Sequence, residues 1–306
     1  MNDYLSLVIG IVCAAVGGEF FVRGAVGIAH AARISPGIIG ATVAAFATSS
    51  PELAVSIASA VGDAPQIALG DALGANVLNV ALILGIALVI AGIDCPRDSI
   101  RRDFPVALLV PVVTAALCLD GQLSRIDGAL LLGVFIVWIV FAILEARRQR
   151  SAAAHVLGSR KQGRAALECI VGFVLLAGAG HFIVSGAKTI AGSFGIDEFV
   201  IGATVVAVGT TVPELATVVI SKIRGHDEVG LGTILGSNIF NGLFIVAVAA
   251  MITPIAIQWR EIAVALLFGF VAVAITYPVR SSFLSSRRGI VLLVLYAVYL
   301  TIILQL

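Results

Sequence analysis

The stretch Ala45-Phe46-Ala47-Thr48-Ser49-Ser50-Pro51-Glu52-Leu53 returns 162 residues later as Ala207-Val208-Gly209-Thr210-Thr211-Val212-Pro213-Glu214-Leu215. Each copy sets a Pro-Glu pair and neighbouring hydroxyls into a long apolar run. The likeness extends outward at the same offset. Ile39-Gly40-Ala41-Thr42-Val43 recurs as Ile201-Gly202-Ala203-Thr204-Val205, and Gly24-Ala25 as Gly186-Ala187. Gly70, Gly74, Asn76 and Asn79 recur as Gly232, Gly236, Asn238 and Asn241. Apolar drift supplies Leu, Val and Ala; it does not supply matched Pro, Glu, Thr and Asn. The chain is therefore an internal repeat.

Composition places the repeat in a membrane. Of 306 residues, 60% are hydrophobic and 12% charged, against roughly 25% charged in a soluble domain. With a net charge of +1 and no basic stripe, a nucleic-acid partner is excluded. Cys13, Cys95, Cys118 and Cys169 form no CxxC pair, so neither zinc nor redox chemistry is indicated. A span needs about 20 mostly apolar residues. Ten stretches qualify, near 4–31, 36–61, 66–92, 104–120, 126–147, 165–193, 197–222, 229–252, 259–277 and 288–304. The first lacks a basic leader and a cleavage site, and reads as a retained helix rather than a signal peptide.

The polar stretch Glu145–Arg164 divides the spans into five and five: a first membrane repeat over 1–147, a cytoplasmic linker over 148–164 and a second repeat over 165–306. Because five is odd, the second half enters from the opposite side. The expected fold class is all-α integral membrane, ten helices as 5+5 inverted-topology repeats, the usual architecture of secondary transporters with a site between the halves. With the N-terminus outside, fifteen Lys and Arg fall in cytoplasmic loops and only Arg125 and Arg260 in external ones, as the positive-inside rule requires.

Chemistry concentrates at the repeated Pro-Glu. Each proline lacks an N–H and clashes with the carbonyl four residues back, which frees the carbonyls of Ala47 and Gly209 and predicts a broken helix. Irregular backbone at membrane depth belongs where it lines a cavity, and an intramembrane acid marks a pathway by default. Glu52 and Glu214, with Thr48 and Thr210, therefore converge by symmetry. Asn76 and Asn79, three apart, share a helix face, as do Asn238 and Asn241. The inventory is nearly all oxygen. That suits a hard cation, two carboxylates neutralising one Ca2+, and disfavours soft metals. Asp71, whose counterpart is Thr233, is read as either a third carboxylate or a residue facing an outer vestibule. Glu19, opposite His181, reads as helix packing or a pathway mouth, and Arg23 and Lys188 as snorkelling or pairing with nearby acids.

At these residues the sequence resembles the cation/Ca2+ exchanger superfamily, specifically its prokaryotic sodium/calcium exchangers. The family's G-T-S-x-P-E and G-S-N-x-x-(N/D) cores are matched by Ala47–Glu52 with Gly74–Asn79, and by Gly209–Glu214 with Gly236–Asn241. The resemblance implies electrogenic exchange of Na+ for Ca2+ by alternating access, with no cofactor and no enzymatic step. It implies Ca2+ on Glu52, Glu214, Thr48 and Thr210. Flanking Na+ sites would draw on Ala45, Ser49, Ala207, Thr211 and Ser237, and a further polar position is matched by Asn79 and Asn241. It also implies that the first and sixth spans slide across the other eight, that one chain suffices for transport, and that the protein sits multi-pass in a prokaryotic plasma membrane, the inner membrane in a Gram-negative cell. The chain departs from the family at Ala47, usually glycine, and at Ala75, usually serine, so the first repeat has one hydroxyl fewer. The rival on the same fold is an H+/Ca2+ or other divalent antiporter. A passive cation channel and a membrane enzyme are weaker readings, since inverted repeats with broken helices argue against the first and no nucleophile–base pair supports the second; saturable exchange rather than ohmic conductance would exclude the channel.

Overall fold

The proline-broken repeat becomes two broken helices in the computed structural model, which describes residues 3–31, 42, 44–97, 99–149, 162–223, 225, 227–278 and 282–306. In the first half lie α1 (Asp3–Ala31), α2 (Ala45–Thr48), α3 (Ser50–Val61), α4 (Pro65–Ile90), α5 (Phe104–Leu117) and α6 (Arg125–Gln149). The second half supplies α7 (Gln162–Phe194), α8 (Glu198–Thr210), α9 (Val212–Ile223), α10 (Asp227–Ile252), α11 (Trp259–Thr276) and α12 (Ser286–Ile303). α3 and α4 recur as α9 and α10 at the 162-residue offset found in sequence, whereas α11 begins 155 residues after α5. Residues 36–41 and 43 of the second expected span, most of the linker, and Arg33, Arg150, Arg160, Lys161, Arg224 and Arg280 lie outside the described residues.

Among the described residues the regular structure is helical apart from short strand pairs that the sequence did not signal. Six of the described helices, namely α4, Arg125–Glu145 of α6, Ala166–Phe194 of α7, α10, α11 and α12, are long and apolar enough to cross a membrane. The bent pair α8 and α9 makes a seventh if it counts as one span. The other expected spans, 4–31, 36–61 and 104–120, are helical where described. Of these, α3 has 12 residues and α5 has 14, the latter about 21 Å long at 1.5 Å per residue.

Burial explains the layout. α4 and α10 are buried along most of their length, whereas α6 and α12 leave apolar residues such as Phe141 and Val294 exposed. A helix apolar all round belongs inside or in lipid. Small residues let α4 meet α8: a Cβ on Gly74 would lie 2.5 Å from the Ala203 carbonyl, and one on Gly202 2.6 Å from that of Ile67. Such close approach is the usual device of helix packing in lipid.

Two antiparallel bridges tie the halves together, β1 (Ile93–Asp94) to β4 (Phe283–Leu284) and β2 (Gln122–Leu123) to β3 (Ile255–Ala256). α1 and α7 pack chiefly along each other, with Gly10 against Ile183 and Gly17 against Leu175. Arg23 pairs with Glu19 at 2.5 Å, both exposed. Among the described residues Lys188 makes no ion pair within salt-bridge distance, although Glu198 lies within electrostatic reach. Its ammonium instead donates to the Gly62 carbonyl at 2.8 Å, where the end of α3 leaves acceptors unpaired.

Candidate functional site

The two breaks fall at Ser49 and Thr211, whose backbone leaves the helical region (φ −81°, ψ 11° and φ −80°, ψ 6°). The second bends the chain by 44°. Each Pro-Glu then opens a new helix, so both glutamates sit in a first turn. Unpaired N–H groups there favour negative charge. Of the two carbonyls expected to be free, that of Ala47 is taken by the Ser50 hydroxyl at 2.5 Å. In the second half Val212 stands at the position of Ser50 and has no hydroxyl to give.

Glu52, Glu214, Thr48, Thr210, Ser49, Ser237, Asn79 and Asn241 are all fully buried, and Thr211 nearly so. Their company is unequal. Oε1 of Glu214 accepts from Ser49 at 3.1 Å and from Ser237 at 3.3 Å. The hydroxyls of Ser237 and Thr48 meet at 3.3 Å. For Glu52 the equivalent donors are Thr211, which turns back to the Ala207 carbonyl at 2.8 Å, and position 75, an alanine. Both oxygens of Glu52 are buried and, among the described residues, without a hydrogen-bond partner. The Oε2 of Glu214 is equally bare. A buried acceptor left unsatisfied costs about 1–3 kcal/mol, more when charged, so these oxygens are built to meet something else.

The carbonyls of Ala45 and Ala207 already accept from the chain. Ala45 takes the Ser49 N–H at 2.9 Å and the Thr48 hydroxyl at 3.2 Å. Ala207 takes the Thr211 N–H at 3.1 Å and the Thr210 hydroxyl at 3.3 Å.

The asparagines divide. Asn76 Nδ2 donates to the Asn238 carbonyl at 3.1 Å, and Asn238 Nδ2 returns a bond to the Asn76 carbonyl at 3.0 Å. This reciprocal pair stitches α4 to α10. Asn79 Nδ2 reaches Asn238 Oδ1 at 3.2 Å. Asn79 Oδ1 and both polar atoms of Asn241 are buried without partners among the described residues. Both residues lie in wide π-type turns, Leu78–Leu84 and Phe240–Ile245, a distortion frequent at functional sites.

Asp71 is fully buried and accepts the Thr210 hydroxyl on Oδ1 at 3.0 Å. It therefore does not face an outer vestibule. Sequence alone left it ambiguous, although an aspartate in the apolar run of α4 was the signal. Among the described residues no three His, Cys, Asp or Glu side chains gather tightly enough to hold an ion between them. A cation here must draw on neutral oxygens as well as carboxylates, which is the donor set of a hard ion.

Comparison with known proteins gives a consistent picture. The family model described as sodium/calcium exchanger protein matches residues 3–144 and again 165–305. The inner membrane protein YrbG of Escherichia coli (strain K12) is 33% identical over 81% of this chain and 79% of its own. The sodium/calcium exchanger MaX1 of Methanosarcina acetivorans is 28% identical over 83% of this chain and 84% of its own. A solved structure of the sodium-calcium exchanger NCX_Mj soaked with Na+ and Sr2+ superposes with a TM-score of 0.71, at 28% identity and 98% coverage of both chains.

Proposed function

The chain belongs to the sodium/calcium exchanger protein family, and we propose that Glu52 and Glu214 hold the Ca2+ that it exchanges for Na+ across the membrane. The observation that carries this assignment is the set of buried, unpartnered carboxylate oxygens on the two glutamates, one beside each helix break. Thr48 and Thr210 complete the Ca2+ position. Ser49, Thr211, Ser237 and the carbonyls of Ala45 and Ala207 serve flanking Na+ positions, and Asn79 and Asn241 offer neutral oxygens on the side of the π turns.

Charge supplies the mechanism. Ca2+ and Na+ compete for one set of carboxylates, so neither leaves until the other has begun to replace it. Leaving two buried carboxylates bare is costly, and this couples the fluxes. Ten spans in two inverted repeats, 1–147 and 165–306 around a linker over 148–164, frame the site. The reciprocal Asn76–Asn238 bonds and the crossed strand pairs both support that arrangement, because each is what a two-fold axis between the halves generates. α1 and α7 move as a pair across the rest. The positive-inside count puts the N-terminus outside, in the plasma membrane of a prokaryote.

The test is 45Ca2+ uptake into Na+-loaded proteoliposomes, with the Na+ gradient present or collapsed, alongside Glu52→Gln. Uptake that requires the outward Na+ gradient and vanishes in the variant is the expected result. Uptake driven by a pH gradient and indifferent to Na+ would mean proton coupling, and full activity in Glu52→Gln would remove Glu52 from the site.

A further inference from the structure

The two repeats share their spacing through the site but differ at the contacts of Thr48 and Thr210. Thr48 is met by the Ser237 hydroxyl. The symmetry-related partner of Thr210 is position 75, where Ala75 has no polar atom to offer. Thr210 is nevertheless not alone, because its hydroxyl donates to Asp71 Oδ1 at 3.0 Å. Residues 71 and 75 are four apart on α4 and share a face, so the acid stands one turn from the missing hydroxyl. The equivalent of Asp71 in the other half, Thr233, does nothing comparable; its hydroxyl closes on the Val229 carbonyl of its own helix at 2.9 Å.

Resting on the exchanger reading above, we propose that Asp71 takes over the role of the absent hydroxyl at position 75 and, with Thr210 and an oxygen of Glu52, forms a Na+ position beside the Ca2+ position. Three observations converge on it. Asp71 is fully buried, and its Oδ2 has no partner among the described residues. Both oxygens of Glu52 are bare, and Asp71 and Glu52 lie within electrostatic reach of each other. Lastly, the carboxylates of Glu52, Glu214 and Asp71 do not gather on one point. Asp71, bonded to Thr210, is therefore assigned to a neighbouring position rather than to the same ion. A bare carboxylate, a hydroxyl oxygen and a shared carboxylate are hard oxygen donors fit for Na+. With all three acids ionised the centre would carry −3, one charge more than a single Ca2+ compensates.

Two readouts test this on the purified full-length chain: Na+-induced thermal stabilisation in detergent, and the Na+ concentration that half-saturates Ca2+ release from proteoliposomes. Asp71→Asn is expected to raise both Na+ midpoints about tenfold or more while the Ca2+ midpoint barely moves. Adding Ala75→Ser to that variant recovers part of the Na+ response. An unchanged Na+ midpoint overturns the proposal. So does a parallel shift of Na+ and Ca2+ midpoints, which would make Asp71 a Ca2+ ligand. Asp71→Thr, the residue type of position 233, is the second variant; if neither yields folded protein, Asp71 is structural and the proposal fails. The thermal readout needs no Ca2+ transport, so a wild-type protein that binds Na+ but moves no Ca2+ would sink the exchanger assignment and still decide the role of Asp71.

Discussion

Asn238 is held more tightly than any ligand needs to be. Its side chain bonds the Asn76 carbonyl and accepts from Asn79, and its own carbonyl accepts from Asn76. Asn241, three residues on, has both polar atoms unpaired among the described residues. By residue type and spacing the four asparagines look alike, because glue and ligand both need an amide on a buried helix face, and only the family resemblance set Asn79 and Asn241 apart in sequence. In the structure the partner across the interface separates them. Interhelical hydrogen bonds in lipid contribute about 0.6 kcal/mol each and up to about 1.7. Asn238→Ala, which removes two, should destabilise the protein by about 1–2 kcal/mol with a small effect on the Ca2+ midpoint. Asn241→Ala should do the reverse, weakening ion binding with little loss of stability. Thermal unfolding of the two variants with and without Ca2+ decides it, and equal behaviour would erase the distinction. The glutamates were legible from the start, since an acid beside a proline in an apolar run has few structural reasons to exist.

The elements were legible where proline and length speak and opaque where helices touch. Breaks at Ser49 and Thr211 follow from Pro51 and Pro213, one turn after the freed carbonyls. That Ser50 would claim the carbonyl of Ala47 was not foreseen, because a hydroxyl next to a proline has several acceptors within reach. The repeated glycines were visible as repeats but not as contacts. On α4, a Cβ at Gly74 would collide with the Ala203 backbone, and one at Gly70 with the Phe199 carbonyl. A backbone cannot rotate aside as a side chain can. Gly74→Ala should therefore cost at least about 1–3 kcal/mol, the usual toll of overpacking, and spread α4 from α8, displacing Asp71 and Thr210 together. Gly133→Ala, with nothing within 4 Å of the added carbon, should be neutral or slightly stabilising through helix propensity. Expression, thermal midpoint and 45Ca2+ uptake of the pair check this; comparable uptake in both variants would mean α4 and α8 can part without harm.

At the scale of the whole molecule, the question is what moves. The internal repeat was legible from the offset of 162 residues, but the bridges β1–β4 and β2–β3 were not, since two-residue strands leave no pattern. Those bridges fasten each half to the other across α4–α5, α5–α6, α10–α11 and α11–α12, and no described bridge reaches α1 or α7. α1 and α7 are bound chiefly to each other. Movement of that pair therefore breaks none of the described strand bridges. The contact it must slide through is local: a Cβ placed on Gly209 of α8 would sit 2.7 Å from Ile11 Cγ1 of α1. That is close enough for the Cβ separation of about 3.5–4.5 Å that a disulfide needs after small adjustment. Ile11→Cys with Gly209→Cys, in a background lacking Cys13, Cys118 and Cys169, should close under mild oxidant. Cys95 can stay, because burial pushes its thiol up to about 12 and leaves little reactive thiolate at neutral pH. Oxidised protein is expected to bind Ca2+ and to give no Na+-driven uptake, with activity returning on reduction. The two single-cysteine variants should transport regardless of redox state. Full transport by the cross-linked protein would show that α1 stays fixed to α8 through the cycle, and the moving part would have to be sought among the bridged helices instead.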